Sequence, residues 1–561
     1  VTDLERTRPW LKSYRLGPYK LASSLEPYPE LPLYSMLDQS AQKHPRSTAV
    51  DYCGVRISYG ELKDYCDRLA CALAGFGVKK GDRVATILPT SPQYIIANFA
   101  ILKTGAVHVP CSILHKEQEL EYEIGESGAE TVICLQEQVD KILSIKSRTG
   151  IRQIIVTVLN DYTLDDNGED KTPEGLFGFK ALIADHDPHP PEVEIKPRED
   201  LAYLAFTGGA TGVPKGVMLT HFNRYSNVLQ SMAWAMSSLE KSIRGKASIC
   251  IGVPLFHSYG DSAALFGIHW GLRLILIRDP RNIDQIARIL IEDRPFMTTL
   301  VPTQLMKLSE KDLPRLPIQI LSGASYLPRE VRENITAKIK MPISEGYGLT
   351  ETSPLTHLDL SGFSKITGFA ARQKYSIGLP IPDTDIKLIN EDNGRECPPG
   401  EPGHMYIKGP QVMKGYWPEE GSGLVDGWLP TGDIAKMDED GYFYIVDRIK
   451  DMVNVSGYKV YTSTIDDILH QHPAVSMAAA VGIPDPEREG SERIKAFIVL
   501  KEEQTGKVNA EDIIAFCREK CASYAVPRQV EFRTSLPFTV TEKIFKKQLR
   551  EEELKKMQNS S

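Results

Sequence analysis

The chain holds 561 residues, 42% hydrophobic and 25% charged, with 66 basic against 74 acidic side chains and a formal net charge of −8. That length exceeds one ordinary domain and predicts two to four, and the composition is that of a globular protein. The acidic balance argues against broad nucleic-acid binding and against a polybasic membrane anchor. The nine cysteines are scattered, and Cys517 and Cys521 lack histidine partners, so they read as core or half-exposed thiols rather than zinc ligands. With no basic-then-apolar leader and no apolar run near the ~20 residues that span a bilayer, the expectation is a reducing, cytoplasmic location without a transmembrane segment.

In chain order, Ser58-x-x-Glu61 forms a capping box, and Leu62, Cys66, Leu69 and Leu73 mark one face of the helix it opens. Arg83–Leu88 reads as a buried strand. Ser91-Pro92 starts a helix through Leu102, Gly105 ends it, and Ala106–Pro110 is extended again, completing a βαβ unit. Further apolar runs at Ile154–Val158, Ile249–Pro254, Leu272–Ile277 and Ile318–Leu321 alternate with helical patterns such as Asp284–Leu290. The fold class is therefore α/β, with two doubly wound layers. Residues 375–446 change texture to short strands with turns at Asp426-Gly427 and Asp440-Gly441, as in a small β-barrel. Beyond Lys450 a smaller α+β segment follows: Val475–Ile483, Ile494–Leu500, a helix near Glu511–Cys521, and Gln529–Phe532.

The run Phe206-Thr207-Gly208-Gly209-Ala210-Thr211-Gly212-Val213-Pro214-Lys215-Gly216 follows the apolar stretch Leu201 to Phe206. Glycines let backbone N–H groups converge on an anion, hydroxyls add donors, and lysine adds a mobile positive charge. That chemistry suits a polyphosphate, although the spacing is not that of a Walker A loop. In Glu345-Gly346-Tyr347-Gly348-Leu349-Thr350-Glu351, an aromatic can stack on a base, a hydroxyl can reach a phosphate, and a carboxylate can hold Mg²⁺.

These runs, taken in order, resemble the adenylate-forming superfamily of acyl-CoA synthetases, luciferases and peptide-synthetase adenylation domains. The first resembles its phosphate-binding signature, with Ala210 where a hydroxyl is usual, and the second its Tyr-Gly-x-Thr-Glu motif. Four further segments fit. Ser322-Gly323-Ala324-Ser325 resembles the strand end that borders adenine. Thr431-Gly432-Asp433 resembles the ribose-binding motif, and Asp447-Arg448-Ile449-Lys450 the segment in which the arginine reaches the ribose and the residue two later is the hinge. Leu536-Pro537-Phe538-Thr539-Val540-Thr541-Glu542-Lys543 resembles the motif of the catalytic lysine, with Glu542 in place of glycine.

The resemblance implies ATP-binding roles for Thr207, Gly208, Gly209, Thr211, Gly212, Lys215, Gly323, Ala324, Ser325, Glu345, Gly346, Tyr347, Gly348, Thr350, Asp433 and Arg448. It also implies catalysis by Lys543, Thr350 and Glu351, with Glu351 as the Mg²⁺ ligand. Lys546, Lys547 and Arg550 continue the basic tail and read as solvated surface. Pro254-Leu255-Phe256-His257 resembles the strand end that lines the acyl pocket, and Asn454, Ser456 and Gly457 the pantetheine tunnel of coenzyme A. Two domains are implied, an adenylation domain over 1–449 and a mobile α+β domain over 450–561, turning at Lys450.

The opening Arg8-Pro9-Trp10 and the run Asp426–Ile434 look most like bacterial and archaeal medium- and long-chain fatty acid–CoA ligases. The expected function is activation of a small-molecule carboxylic acid with ATP and transfer of the acyl group to coenzyme A. An aryl-acid ligase and a non-catalytic nucleotide- or acyl-binding homologue are the alternatives. Oligomeric state is left open, a homodimer included.

Overall fold

The computed structural model describes residues 8–16, 19–166, 168, 172–208, 213–364, 371, 373–488, 490–539 and 544–560. They form two compact units, one of Val1–Ile386 with Ile407–Leu429, the other of Lys387–Tyr406 with Pro430–Ser561.

The first unit carries two large sheets. The eight-stranded sheet runs, edge to edge, Gly415–Tyr416, Pro214–Thr220, Leu201–Gly208, Val107–Pro110, Arg83–Ile87, Thr131–Leu135, Gln153–Thr157 and Phe177–Gly178. The nine-stranded sheet runs Leu379–Pro380, Leu355–Leu358, Ser344–Gly348, Gln319–Ser322, Met297–Leu300, Ser248–Ile251, Arg273–Leu276, Thr48–Tyr52 and Val55–Ser58. The middle strands of both are parallel, and each parallel connection needs a crossover, which the intervening helices supply. The doubly wound reading of the sequence describes this unit.

Local sequence explains why these elements form. The helix Tyr59–Gly75 opens on the expected box: Ser58 Oγ accepts from Glu61 N at 3.2 Å, and Glu61 Oε2 accepts from Ser58 N at 2.8 Å. Such a cap contributes about 1 kcal/mol. Leu62, Cys66, Leu69 and Leu73 are all fully buried, as their spacing predicts. The helix Pro92–Lys103 is buried on every face, consistent with an apolar sequence that offers no polar side. Apolar cores cover the eight-stranded sheet beneath Leu120, Ile124, Ile142 and Ile145, and the nine-stranded sheet beneath Ile286, Leu290, Leu305 and Ile335.

The segment expected to be a small barrel is instead an open four-stranded sheet, Asp385–Ile389, Gly403–Lys408, Leu429–Met437 and Phe443–Arg448. Four short strands bring too few residues round to close on themselves. Both turn signals hold, with Asp426 and Gly427 at φ 52° and 76° and Gly441 at φ 84°. The sheet lies largely in the second unit. That unit continues with a hairpin, Val453–Val455 and Tyr458–Val460, and a three-stranded sheet of Val475–Pro484, Glu492–Leu500 and Gln529–Phe532. The helices Thr462–His470, Ala510–Arg518 and Lys546–Ser560 complete its α+β character. Among the described residues no helix is long and apolar enough to cross a membrane.

Candidate active site

Three of the sequence motifs leave the same edge of the nine-stranded sheet. The strands Ser344–Gly348, Gln319–Ser322, Met297–Leu300 and Ser248–Ile251 are parallel neighbours in that order. Their carboxyl ends lead to Thr350-Glu351, to Gly323-Ala324-Ser325 and to His257, in the place where open α/β sheets bind ligands. The side chains meet accordingly. Ser258 Oγ and Thr350 Oγ1 are 3.3 Å apart, and His257 Nδ1 caps the helix Ser258–His269 by accepting from Tyr259 N at 3.3 Å. Tyr259 Oη donates to the Leu321 carbonyl at 2.8 Å, and its ring lies against Gly323, where an added Cβ would stand 3.2 Å from it.

Ala324 follows in the left-handed region at φ 73°. A residue with a side chain there is strained by roughly 1–2 kcal/mol, so the turn is imposed by its surroundings. Tyr347 is half-buried and meets His357 edge-on at 5.7 Å. Gly346 packs with its Cα 's missing substituent facing Leu355. Gly348 admits no side chain, because an added Cβ would stand 1.8 Å from the Pro354 carbonyl oxygen. The Glu345 carboxylate is paired with buried Arg332, so its side chain braces the strand, while its backbone carbonyl accepts from Asp359 N.

The polyphosphate segment is a β-hairpin. Leu201–Gly208 and Pro214–Thr220 pair antiparallel, with Thr207 opposite Lys215 and Gly208 opposite Pro214. Gly209, Thr211 and Gly212 lie outside the described residues. Lys215 is exposed, and its Nζ sits 4.9 Å from the centre of the Tyr416 ring. Tyr416 Oη donates to Glu351 Oε1 at 2.9 Å, and the Glu351 carbonyl accepts from Met413 N at 2.8 Å. Burial, reinforced by Glu351, pushes the Tyr416 phenol well up. Lysine, tyrosine, carboxylate, threonine and serine thus form one continuous run of contacts from the hairpin to the His257 segment.

Among the described residues no group of three or more His, Cys, Asp or Glu could hold a metal alone. A single carboxylate beside hydroxyls fits Mg²⁺, which usually takes one or two protein carboxylates and fills its shell with phosphate oxygens and water.

In the second unit Asp433 and Arg448 stand directly opposite on adjacent antiparallel strands, and Arg448 Nε is 3.1 Å from Asp433 Oδ1. The carboxylate is buried and the guanidinium half-exposed. Gly432 N donates to His404 Nε2 at 3.0 Å, and burial lowers the pKa of that histidine. Lys450 sits in the short turn Ile449–Asp451. The hairpin bearing Asn454, Ser456 and Gly457 turns with both Ser456 and Gly457 at positive φ, 52° and 92°, and Asn454 Oδ1 accepts from Gly457 N.

Lys543 lies outside the described residues. Its neighbour Lys546 corrects the expectation of a solvated tail. Lys546 Nζ lies 2.5 Å from Asp466 Oδ2 and donates to Thr462 Oγ1 at 2.9 Å. Burial acts to lower its pKa, but the carboxylates of Asp466 and Asp447 prevail and raise it. Arg550 is paired too, 2.5 Å from Glu492, while Lys547 lies 3.7 Å from Glu551.

Sequence reasoning did not find Tyr416 or Ser258. Ser258 adjoins His257 and could have been read from the strand-end motif. Tyr416 has no local signal, because its strand joins the sheet beside Pro214–Thr220, some two hundred residues earlier.

Comparison with known proteins bears on the family and the fold. Residues 37–417 match the family described as AMP-binding enzyme, and residues 464–543 match the AMP-binding enzyme C-terminal domain. The chain is 34% identical to a long-chain-fatty-acid–CoA ligase of Bacillus subtilis (strain 168), covering 98% of this chain and 99% of that one. It is 33% identical to the protein of that name from Escherichia coli O157:H7, with the same coverage. Among solved structures, an anthranilate CoA ligase in complex with anthranoyl-AMP superposes with a TM-score of 0.82 at 26% identity, covering 94% of this chain and 98% of that chain. A benzoate CoA ligase from Burkholderia xenovorans LB400 superposes at 0.80, also 26% identical, over 93% of this chain and all of that one. With motifs, sheet order and nearly full-length similarity in agreement, the chain belongs to the AMP-binding enzyme family.

Proposed function

We propose that this protein is an AMP-forming acid–thiol ligase that joins a medium- or long-chain fatty acid to coenzyme A. The observation that carries the reading is the run of contacts Lys215–Tyr416–Glu351 with Thr350–Ser258, which links a phosphate hairpin to the segment of His257. Nearly full-length similarity to long-chain-fatty-acid–CoA ligases supports the acid class.

In the first half-reaction a carboxylate oxygen attacks the α-phosphorus of ATP, the bond to the bridging oxygen breaks, and pyrophosphate leaves with that electron pair. Thr207, Lys215 and the hairpin glycines hold the β- and γ-phosphates, Thr350 the α-phosphate, and Lys543 neutralises the charge that develops. Catalysis here is chiefly positioning and electrostatics, as phosphoryl transfer requires. Mg²⁺, when bound beside Glu351, supplies charge neutralisation and orientation of phosphate oxygens. Tyr347 and the Gly323–Ser325 turn border the base. Asp433, with Arg448, binds the ribose hydroxyls.

In the second half-reaction the thiolate of coenzyme A attacks the acyl carbon, the carbon–oxygen bond to AMP breaks, and the thioester forms. Residues 450–561 turn about Lys450 between the steps and present Asn454, Ser456 and Gly457 to the pantetheine arm. The adenylate turns a poor leaving group into a good one.

An aryl-acid reading has one specific support, the high similarity in fold to the anthranilate and benzoate ligases. The deciding measurement is kcat/KM across saturated acids with benzoate and cinnamate as controls. Each buried methylene should add up to about 0.8 kcal/mol until the tunnel is full. An optimum at an aryl acid overturns the fatty-acid assignment and leaves the ligase chemistry standing.

A further inference from the structure

Behind the Thr350-Glu351 turn lies a buried polar network that the motifs do not name. The helix His221–Val228 follows directly on the hairpin strand Pro214–Thr220. Arg224 on this helix is among the largest fully buried side chains of the described residues, and it forms an ion pair with buried Asp261. Its Nη1 donates to the Ser353 carbonyl at 2.7 Å and to Ser262 Oγ at 3.1 Å, and Ser262 Oγ donates to the same carbonyl at 3.1 Å. Three residues on, Asn227 brackets Leu355: its Nδ2 donates to the Leu355 carbonyl at 2.8 Å, and its Oδ1 accepts from Leu355 N at 3.1 Å. Asp261 is held in turn by Tyr203 Oη at 3.3 Å, and Tyr203 by Asn98 at 2.8 Å.

Residues three apart on a helix share a face. This face therefore grips the backbone at Ser353 and Leu355, just beyond Glu351. Ser353 needs such a grip, because it closes the turn in the left-handed region at φ 73°. A charge buried at Arg224 is costly unless it is paired and its donors are used. Here its fork spans from a carboxylate to the backbone of the turn.

We propose that Arg224 is a positioning residue for Glu351: held by Asp261, it fixes the Ser353 carbonyl and with it the direction in which the Glu351 carboxylate faces the metal–phosphate group. The proposal rests on the reading of Glu351 as the Mg²⁺ ligand. It goes further by naming the group that couples that ligand to the phosphate hairpin through one helix.

The test uses the 561-residue chain and calorimetry with α,β-methylene-ATP, whose α–β bridge cannot be cleaved and which therefore cannot transfer its adenylyl group, in the presence and absence of Mg²⁺. Amide hydrogen exchange at Leu349–Leu355 is followed alongside. In Arg224→Lys the charge opposite Asp261 is kept and the fork is lost. The Mg²⁺-dependent gain in affinity should fall about tenfold, the lower end for residues supporting a metal ligand, with Mg²⁺-free affinity unchanged within about twofold. Amides across the turn should exchange faster. Ser262→Ala, which removes only the second donor to the same carbonyl, should reduce the gain by a smaller factor, and it decides the matter if Arg224→Lys does not fold.

An unchanged Mg²⁺-dependent gain with unchanged exchange overturns the proposal, as does equal loss of affinity with and without Mg²⁺. Glu351→Gln separates the two levels. If it abolishes the gain while the Arg224 and Ser262 variants retain it, the positioning role alone falls; if it leaves the gain intact, the metal reading falls and the proposal with it.

Discussion

At the scale of single residues, the arrangement of Asp433 is the most sharply testable part of the site. Its carboxylate is buried on the strand Leu429–Met437 and steadied across the sheet by Arg448. Two carboxylate oxygens match the two hydroxyls of a ribose, and such charge-assisted bonds are the strong kind. Asp433→Ala should weaken ATP binding by about 1.5–3 kcal/mol, measured by calorimetry, while the protein stays folded because Arg448 can turn to water. ATP affinity unchanged within about twofold would remove Asp433 from the ribose site. Lys546 teaches the opposite lesson about residues. A lysine in the run Lys546-Lys547 looks solvated from sequence, yet one of the two is inserted between Asp466 and Thr462. Nothing within the local sequence distinguishes them. The distinction is made by a helix that begins eighty residues earlier.

At the scale of elements, what was legible depended on the reach of the interaction. The capping box at Ser58, the Pro92 helix start and the Asp426-Gly427 turn each involve residues within a few positions, and each was read correctly. The small barrel was not, since closure depends on pairing between strands that no local pattern specifies. The short turn Ile449–Asp451 carries the proposed hinge, and several contacts bridge it within the second unit. Ser463 Oγ is bonded to the Val446 carbonyl, and the Asp447 carboxylate accepts from Thr462 Oγ1 at 3.2 Å and from Ser463 N at 3.3 Å. Rotation at Lys450 would have to break them. Proline at 450 fixes φ near −65° and so restricts that rotation. In Lys450→Pro, adenylation should persist while coenzyme A-dependent turnover collapses and acyl-adenylate accumulates on the protein. A folded variant that makes thioester at the wild-type rate would place the hinge elsewhere.

At the scale of the whole molecule, the motif order made the family legible, while the contacts that assemble the site were not. Tyr416 and Arg224 become informative only once strands and helices far apart in sequence are packed. The same packing leaves a signature in acid stability. Burial lowers the pKa of His108 and His357 from the ordinary 6.5 to about 3, and that of His221 and His269 to about 4. Between the folded and unfolded values the unfolded chain binds protons that the folded chain does not. Stability should therefore rise with pH through that window and level off above the ordinary histidine value. Each histidine contributes up to about 1.4 kcal/mol per pH unit. Urea midpoints across this range should follow that slope, and His357→Phe should flatten it by about one proton. A midpoint that falls as pH rises through the window would contradict the assignment of these histidines as buried and neutral. The central claim, that acid activation passes through an acyl-adenylate, is tested most directly by an acid labelled with heavy oxygen in its carboxylate. After turnover with ATP and coenzyme A in ordinary water, one labelled oxygen should appear in AMP and the other in the thioester carbonyl. Label in orthophosphate with release of ADP, or AMP free of label, would contradict it.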